Sequence, residues 1–455
     1  MGSVINNIQQ VERIDFNEIK QNFDNFLKLK YGYVPTPFSI IEKLINNIPN
    51  ELFQNIQLKW LDPGCGNGYI SMMIYKKLFH CIRKQFNSDE DCRNHILDNM
   101  LYMVDIHNGF TDNLSKIFGN RANIIYINFL YWEPGIKFDV IICNPPYVCE
   151  GLKKVPTNNE SEKVNDGTTI WPAFIRKCIL LLKDYTYLST IIPSIWMKPD
   201  NKMYEFFTKY KINSLCCYSN TETKKIFSGH AQTPTCSFVL KNEKSSGYIQ
   251  LYDQLFFKYV NHKIMSQGAI PVFGISIIEK LIPFLHKYGS LYKDVVKTNM
   301  PSKKVAFYDE LDDVYKYKNI ITCKLNENKI PYLVFNYSNK PLKYCGDVKL
   351  VLAHKMYGHP YYDESGIYGI SNRDNYLILG KKDVEFKKLK DFLNTKLVRF
   401  LYESTRYRMK YLEKYAFDFI VDICKIENFP EVINDENILN YFKFDEKQKQ
   451  VILGF

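Results

Sequence analysis

The tetrapeptide Asn144-Pro145-Pro146-Tyr147 brings a carboxamide, two prolines and a phenol together where an apolar run ends. That run, Phe138 to Cys143, is rich in β-branched residues and reads as a strand of a buried parallel sheet. Neither proline has an N–H to give a ladder, so the strand must stop and a stiff turn must follow. An amide, a rigid backbone and an aromatic ring are thereby placed at the carboxyl edge of the sheet, where open α/β folds bind ligands.

A second group of residues lies upstream. Gln57 to Asp62 reads as the first parallel strand and runs into Pro63-Gly64-Cys65-Gly66-Asn67-Gly68, followed by an apolar helical stretch from Ile70 to Leu78. Glycines in such a turn admit a ligand close to the backbone and let the helix pack on the strand. By itself the loop fits NAD, FAD, S-adenosylmethionine or a simple tight turn. Asp62 narrows the choice, since its carboxylate would repel a pyrophosphate but attract an ammonium group. Asp105, at the tip of the next strand Leu101–Asp105, suits the two hydroxyls of a ribose. Tyr33-Val34-Pro35-Thr36-Pro37 precedes an amphipathic helix pattern, with Thr36 expected as its N-cap and Pro37 in its first turn.

The elements that must hold these residues can be read around them. Residues 1–30 form a polar lead-in, 86–97 a polar surface insertion, and 148–167 a polar loop beside the proline turn. Asn123–Ile127, Leu188–Ile192, Ile212–Tyr218 and Cys236–Leu240 complete the strands, while Trp171 to Leu182 has helical spacing. The expectation is an α/β fold: a Rossmann-like, mostly parallel, seven-stranded sheet. A polar stretch at 241–247 divides it from a C-terminal α+β domain, giving domains 1–245 and 246–455.

Bulk properties agree with two domains, because 455 residues exceed one ordinary domain. There is no run of eighteen apolar residues and no basic-then-apolar leader, so a cytoplasmic protein without a membrane span is expected. The 12 cysteines are scattered without zinc-finger spacing, so reduced thiols are expected and no metal site. The net charge is +11, and Lys297 to Lys410 holds 22 Lys and Arg against 13 Asp and Glu. Such an excess suits a polyanion, although a composition drawn from an AT-rich genome produces the same bias.

Taken together, the PTP segment, the DPGCGNG loop and the NPPY turn resemble the N6-adenine-specific DNA methyltransferases of the amino-methyltransferase group, in the gamma arrangement. The motif-by-motif resemblance covers roughly residues 30–245. It implies S-adenosylmethionine as cofactor, bound by Tyr33, Thr36, Pro37, Asp62, Gly64, Gly66, Asp105, Ile106, Asn128 and Phe129. In that family the position of Asn128 is commonly Asp; the amide oxygen present here can still accept a hydrogen bond. Asn144, Pro145, Pro146 and Tyr147 would be catalytic, with Tyr147 and Phe227 stacking on the two faces of a flipped base. The Asn144 amide oxygen and the Pro145 carbonyl would draw the adenine amino nitrogen toward tetrahedral geometry and free its lone pair.

The C-terminal domain would recognise double-stranded DNA. Lys355, Tyr357, His359, Arg373 and Asn375 are its candidate DNA contacts, because such side chains address base edges and phosphates. A helix is expected over Ile275–Tyr288, and helical signals recur over 385–425. A cognate restriction endonuclease is a candidate partner, and monomer and dimer stay equally open. The rival readings are methylation of RNA adenine or protein glutamine, and a DNA-binding subunit with a disabled catalytic domain.

Overall fold

The computed structural model describes residues 5–19, 21, 23–151, 167–231, 233–264, 268–328, 330–354, 359–407 and 412–455. The chain forms two compact units. The first comprises Met1–Trp196, Asn201–Tyr252 and Asn261–Ile264, and the second Met197–Asp200, Asp253–Val260 and Met265–Phe455.

One sheet, most of it in the first unit, comprises the strands β1 (Trp60–Pro63), β2 (Leu101–Asp105), β3 (Asn123–Tyr126), β4 (Phe138–Cys143), β5 (Leu182–Pro193), β6 (Tyr210–Tyr218), β7 (Thr235–Lys244), β8 (Tyr248–Asp253) and β9 (Lys258–Lys263). Their order across the sheet is β9-β8-β6-β7-β5-β4-β1-β2-β3. Strands β1 to β5 pair in parallel, and β7 is wedged antiparallel between β5 and β6. This is the Rossmann order 3-2-1-4-5-6 with one antiparallel strand inserted, the Rossmann-like methyltransferase fold. All residues of β1 and β4 are buried, as central parallel strands covered on both faces require.

Two features depart from the sequence expectation. The sheet has nine strands, because the polar stretch 241–247 is not a linker: β7 runs through Lys244, and only a three-residue turn precedes β8. The alternating exposed and buried residues of Tyr248–Asp253 fit a strand on the sheet margin. Residues 86–97 are also no loose insertion. Ser88 caps a helix over Asp89–His95 by accepting from the Asp91 amide, and Cys92 and Ile96 are fully buried on one face. Arg93 on that helix grips the buried Glu12 carboxylate at 2.8 and 3.0 Å, and the Tyr75 hydroxyl donates to the same carboxylate at 2.8 Å.

The second unit is α+β. One four-stranded antiparallel sheet orders Val295–Lys297, Asn375–Leu379, Lys349–Ala353 and Tyr361–Asp363. A second four-stranded sheet, mixed, orders Phe307–Tyr308, Pro331–Ser338, Tyr317–Leu325 and Gly369–Ile370, with the last two paired in parallel. The expected helix spans Ile275–Tyr288. The signals over 385–425 become helices Asp383–Leu393 and Lys396–Ser404, followed by short 3₁₀ turns at Lys414–Phe419 and Ile423–Lys425. Among the described residues, no helix is long and apolar enough to cross a membrane.

Gly68 sets the start of the helix Tyr69–Ile82. Its φ is +77°, and an added Cβ would lie 2.2 Å from Leu114 Cδ2. Gly68→Ala is expected to destabilise the protein by roughly 2–4 kcal/mol, the sum of left-handed strain and overpacking. Chemical denaturation of the variant against wild type measures it.

Candidate active site

The site is assembled at the carboxyl ends of β1, β2 and β4. Strands β1 and β4 are neighbours in register, with Trp60 opposite Val140 and Leu61 opposite Ile141. Their two turns therefore emerge side by side, and a Cβ on Gly64 would lie 3.9 Å from Pro146 Cδ. The glycine turn is tied back to β2 by the Gly64 and Cys65 amides, which donate to the Val104 carbonyl at 2.7 and 3.0 Å. The Gly66 amide donates to Asp105 Oδ2 at 2.8 Å, and an added Cβ there would meet the Tyr33 ring at 2.6 Å. Tyr33 thus packs against the turn, and Asn67 Nδ2 donates to its hydroxyl at 2.8 Å.

Asp62 is fully buried at the end of β1. Ser71 Oγ donates to its Oδ2 at 2.6 Å, while Oδ1 is buried with no hydrogen-bond partner among the described residues. Burial pushes this carboxyl up to about 7, against the opposing effect of the Ser71 hydrogen bond. Burial likewise raises Asp105, which the His107, Gly66 and Ile106 amides counteract. The orphaned oxygen is a ready partner for a buried ammonium group. Beside Asp105, the Ile106 side chain is 41% exposed and offers an apolar face at the sheet edge.

Asn144 sits just past β4, partly exposed. Its Nδ2 donates to Thr36 Oγ1 at 3.0 Å and toward the Val34 carbonyl at 3.4 Å. Among the described residues no donor reaches its Oδ1. Pro145 is buried and Pro146 half-buried, so the turn is packed as well as covalently stiff. The half-buried Tyr147 donates from its hydroxyl to the Ile191 carbonyl on β5 at 3.3 Å, and burial raises the phenol well above its usual range.

The structure brings Tyr33, Thr36, Asp62, Gly64, Gly66, Asp105, Asn144 and Pro146 into one cluster. It corrects several details. Thr36 is not a helix cap: Pro37 occupies the N-cap of Phe38–Asn46 without a side-chain bond, and the Thr36 hydroxyl is engaged by Asn144 instead. Asn128 uses its amide oxygen to cap a 3₁₀ turn through the Leu130 amide at 3.0 Å. Phe129 is 3% exposed and packs on Phe174 at 4.6 Å between ring centroids, so its ring is held among buried side chains. Phe227 is likewise 3% exposed: it ends the helix Asn220–Ile226 with its ring inside the hydrophobic core, unavailable to a base in this conformation. Gln21, Ser71, Asn67 and Phe174 were not singled out from the sequence. Only Ser71, in the first helical turn after the glycines, carried a local signal.

In the second unit Asn375 is 1% exposed, and its Nδ2 donates to the Ile321 carbonyl at 2.9 Å. A side chain pinned inside a central strand cannot read DNA, so that assignment is withdrawn. Arg373 is exposed. His359 lines an open pocket of about 450 Å³ with Tyr332, Tyr361, Lys390 and Asn394. Burial and the nearby Arg399 charge lower its pKa. Lys355 and Tyr357 lie outside the described residues, as do residues 152–166 of the polar loop. Lys387 and Arg406 of the basic segment are already paired, with Asp383 at 2.8 Å and Glu403 at 2.6 Å.

Residues 67–227 match the family model described as Eco57I restriction-modification methylase. Modification methylase CviBIII of Paramecium bursaria Chlorella virus NC1A is 26% identical over 300 residues, covering 64% of this chain and 70% of that protein. Type II methyltransferase M.AccI of Acinetobacter calcoaceticus is 28% identical over 205 residues, 42% of this chain and 34% of the relative. The tRNA1(Val) (adenine(37)-N6)-methyltransferase of Vibrio cholerae serotype O1 is 28% identical over 91 residues, 20% of this chain and 32% of the relative. The chain thus spans most of the first of these relatives and about a third of the other two.

Asp62 binds a proton in the folded state up to about pH 7, whereas in the unfolded chain it ionises near 3.9. The folded state therefore holds the extra proton between these values, and stability declines as pH rises through that window. Asp62→Asn, which keeps an acceptor for Ser71, is expected to be more stable than wild type at pH 8 and equal to it below about pH 4. Denaturation midpoints across pH 4–8 give the comparison.

Proposed function

For a chain whose residues 67–227 match the restriction-modification methylases, we propose site-specific transfer of a methyl group from S-adenosylmethionine to the N6 amine of adenine in duplex DNA. One observation carries the reading: the unpaired buried oxygen of Asp62 lies on a turn packed against the proline-stiffened Asn144–Tyr147 turn. A cationic methyl donor and an amino acceptor are thereby given adjoining places.

The residues present fit the cofactor. Asp62 would hold the ammonium of its methionine part, Asp105 the ribose hydroxyls and Ile106 one face of the adenine. When bound, S-adenosylmethionine would supply the electrophilic methyl group and leave as the neutral thioether, and the methylated amine would give up one proton to water. The chain's own residues do the rest. Asn144 Oδ1 and the Pro145 carbonyl accept the two amino hydrogens of the target adenine, which localises the nitrogen lone pair. Because the turn is rigid, little reorganisation accompanies that polarisation. Tyr147, held at its hydroxyl by β5, presents its ring to the base. Such a contact contributes about 1–3 kcal/mol toward holding an unstacked base. We assign target recognition to the second unit, with Arg373 and His359 as its candidate contacts. Host restriction–modification or viral genome marking, with or without a cognate endonuclease, is the setting these relatives suggest.

Labelled cofactor incubated with duplex DNA is expected to mark adenine, as read by sequencing or nuclease digestion of the product. Asn144→Ala should lower turnover by about 10²–10³-fold, the loss typical of one preorganised polar group. Tyr147→Ala should lower it by roughly 5–150-fold, which corresponds to one lost stacking contact. Label confined to tRNA would favour the reading suggested by the Vibrio relative, and label confined to a glutamine-bearing peptide would also overturn the DNA assignment. Because ionised Asp62 is the form that pairs with an ammonium, cofactor affinity should rise as pH passes upward through about 7. Calorimetric titration should show that rise in wild type and a flat profile in Asp62→Asn.

A further inference from the structure

We infer that Thr36 is a positioning residue for Asn144: its hydroxyl secures the carboxamide in the orientation that the Val34 carbonyl selects, with Oδ1 toward the reacting amine. The inference rests on the methyl-transfer reading and assigns Thr36 a part in turnover beyond cofactor contact. The Val34 carbonyl has only lone pairs to offer, so the carboxamide branch turned toward it must be the nitrogen. That contact is long, at 3.4 Å, and holds the amide weakly. The Thr36 hydroxyl, accepting at 3.0 Å, is the stronger of the two anchors. With Nδ2 tied to both, Oδ1 is left on the opposite branch as the free acceptor.

The anchor is itself fixed. Thr36 is 7% exposed, and Gln21 Nε2 donates to its carbonyl at 2.7 Å. The hydroxyl has no capping duty, since the helix Phe38–Asn46 begins without a side-chain cap. The last side-chain torsion of asparagine is broad and roughly two-fold, so a carboxamide with one weak contact samples both orientations. Loss of the hydroxyl therefore presents Nδ2, a donor, to the substrate amine for part of the time. An amino group cannot be polarised by a donor in that position.

Two variants test this. Thr36→Val removes the acceptor while preserving shape, and Thr36→Ser retains it. Thr36→Val is expected to lower kcat by about 10–100-fold at saturating cofactor, and Thr36→Ser should restore kcat. Independently of activity, protein labelled with ¹⁵N-asparagine reports the Asn144 side-chain amide, assigned by its loss in Asn144→Ala. Its proton exchange should be slow in wild type and Thr36→Ser and fast in Thr36→Val, with no cofactor added. A Thr36→Val variant that loses cofactor affinity but keeps kcat, or keeps slow exchange at Asn144, overturns the inference. If wild type methylates no adenine, the proposed activity fails, and the exchange measurement still decides the positioning role.

Discussion

Two prolines at the end of β4 are the constraint on which the site depends. They end hydrogen bonding in the sheet at a position fixed by the chain, and they lock the backbone that follows. Because β4 is a neighbour of β1, the stiffened turn comes to rest against the glycine turn, with Pro146 at the Gly64 backbone. A parallel sheet sends its carboxyl ends to one edge, so the two turns and the tip of β2 share that edge without any dedicated loop to gather them.

The electrostatics of the edge follow from this packing. Central parallel strands are covered on both faces, so an acid at the end of β1 is removed from water along with its strand. Ser71 satisfies one oxygen of Asp62, and the other is left without a protein partner. Leaving a buried carboxylate oxygen unpaired is costly to a folded chain and calls for a partner such as a ligand, an ion or a water. Asp105 differs: backbone amides of Gly66 and His107 each hold one of its oxygens, which orients the carboxylate while leaving lone pairs free.

The local segments differ in how far they could be read from their own residues. Consecutive β-branched residues followed by Pro-Pro announced β4 and its end, and the glycine run announced the β1 turn. The stretch 86–97 misled because its charges are conspicuous, yet Cys92 and Ile96 stand one helical turn apart and both turn inward. The stretch 241–247 misled in the same way: its polar residues form the end of β7 and the turn after it, where none is fully buried. Phe227 and Asn375 look suited to function in one dimension, but each is drawn into a core by the element that carries it.

The order of residues alone determined the ends of β2 and β4, the glycine turn and the identity of the acids and amide, because those depend on backbone chemistry within a few positions. Tertiary structure alone decided what each polar group touches. Thr36 and Asn144 are 108 residues apart, and nothing near either one marks the other as its partner. Only the sheet order, which sets β1 beside β4 and brings the segment before Phe38 across them, could turn an apparent helix cap into a support for the carboxamide.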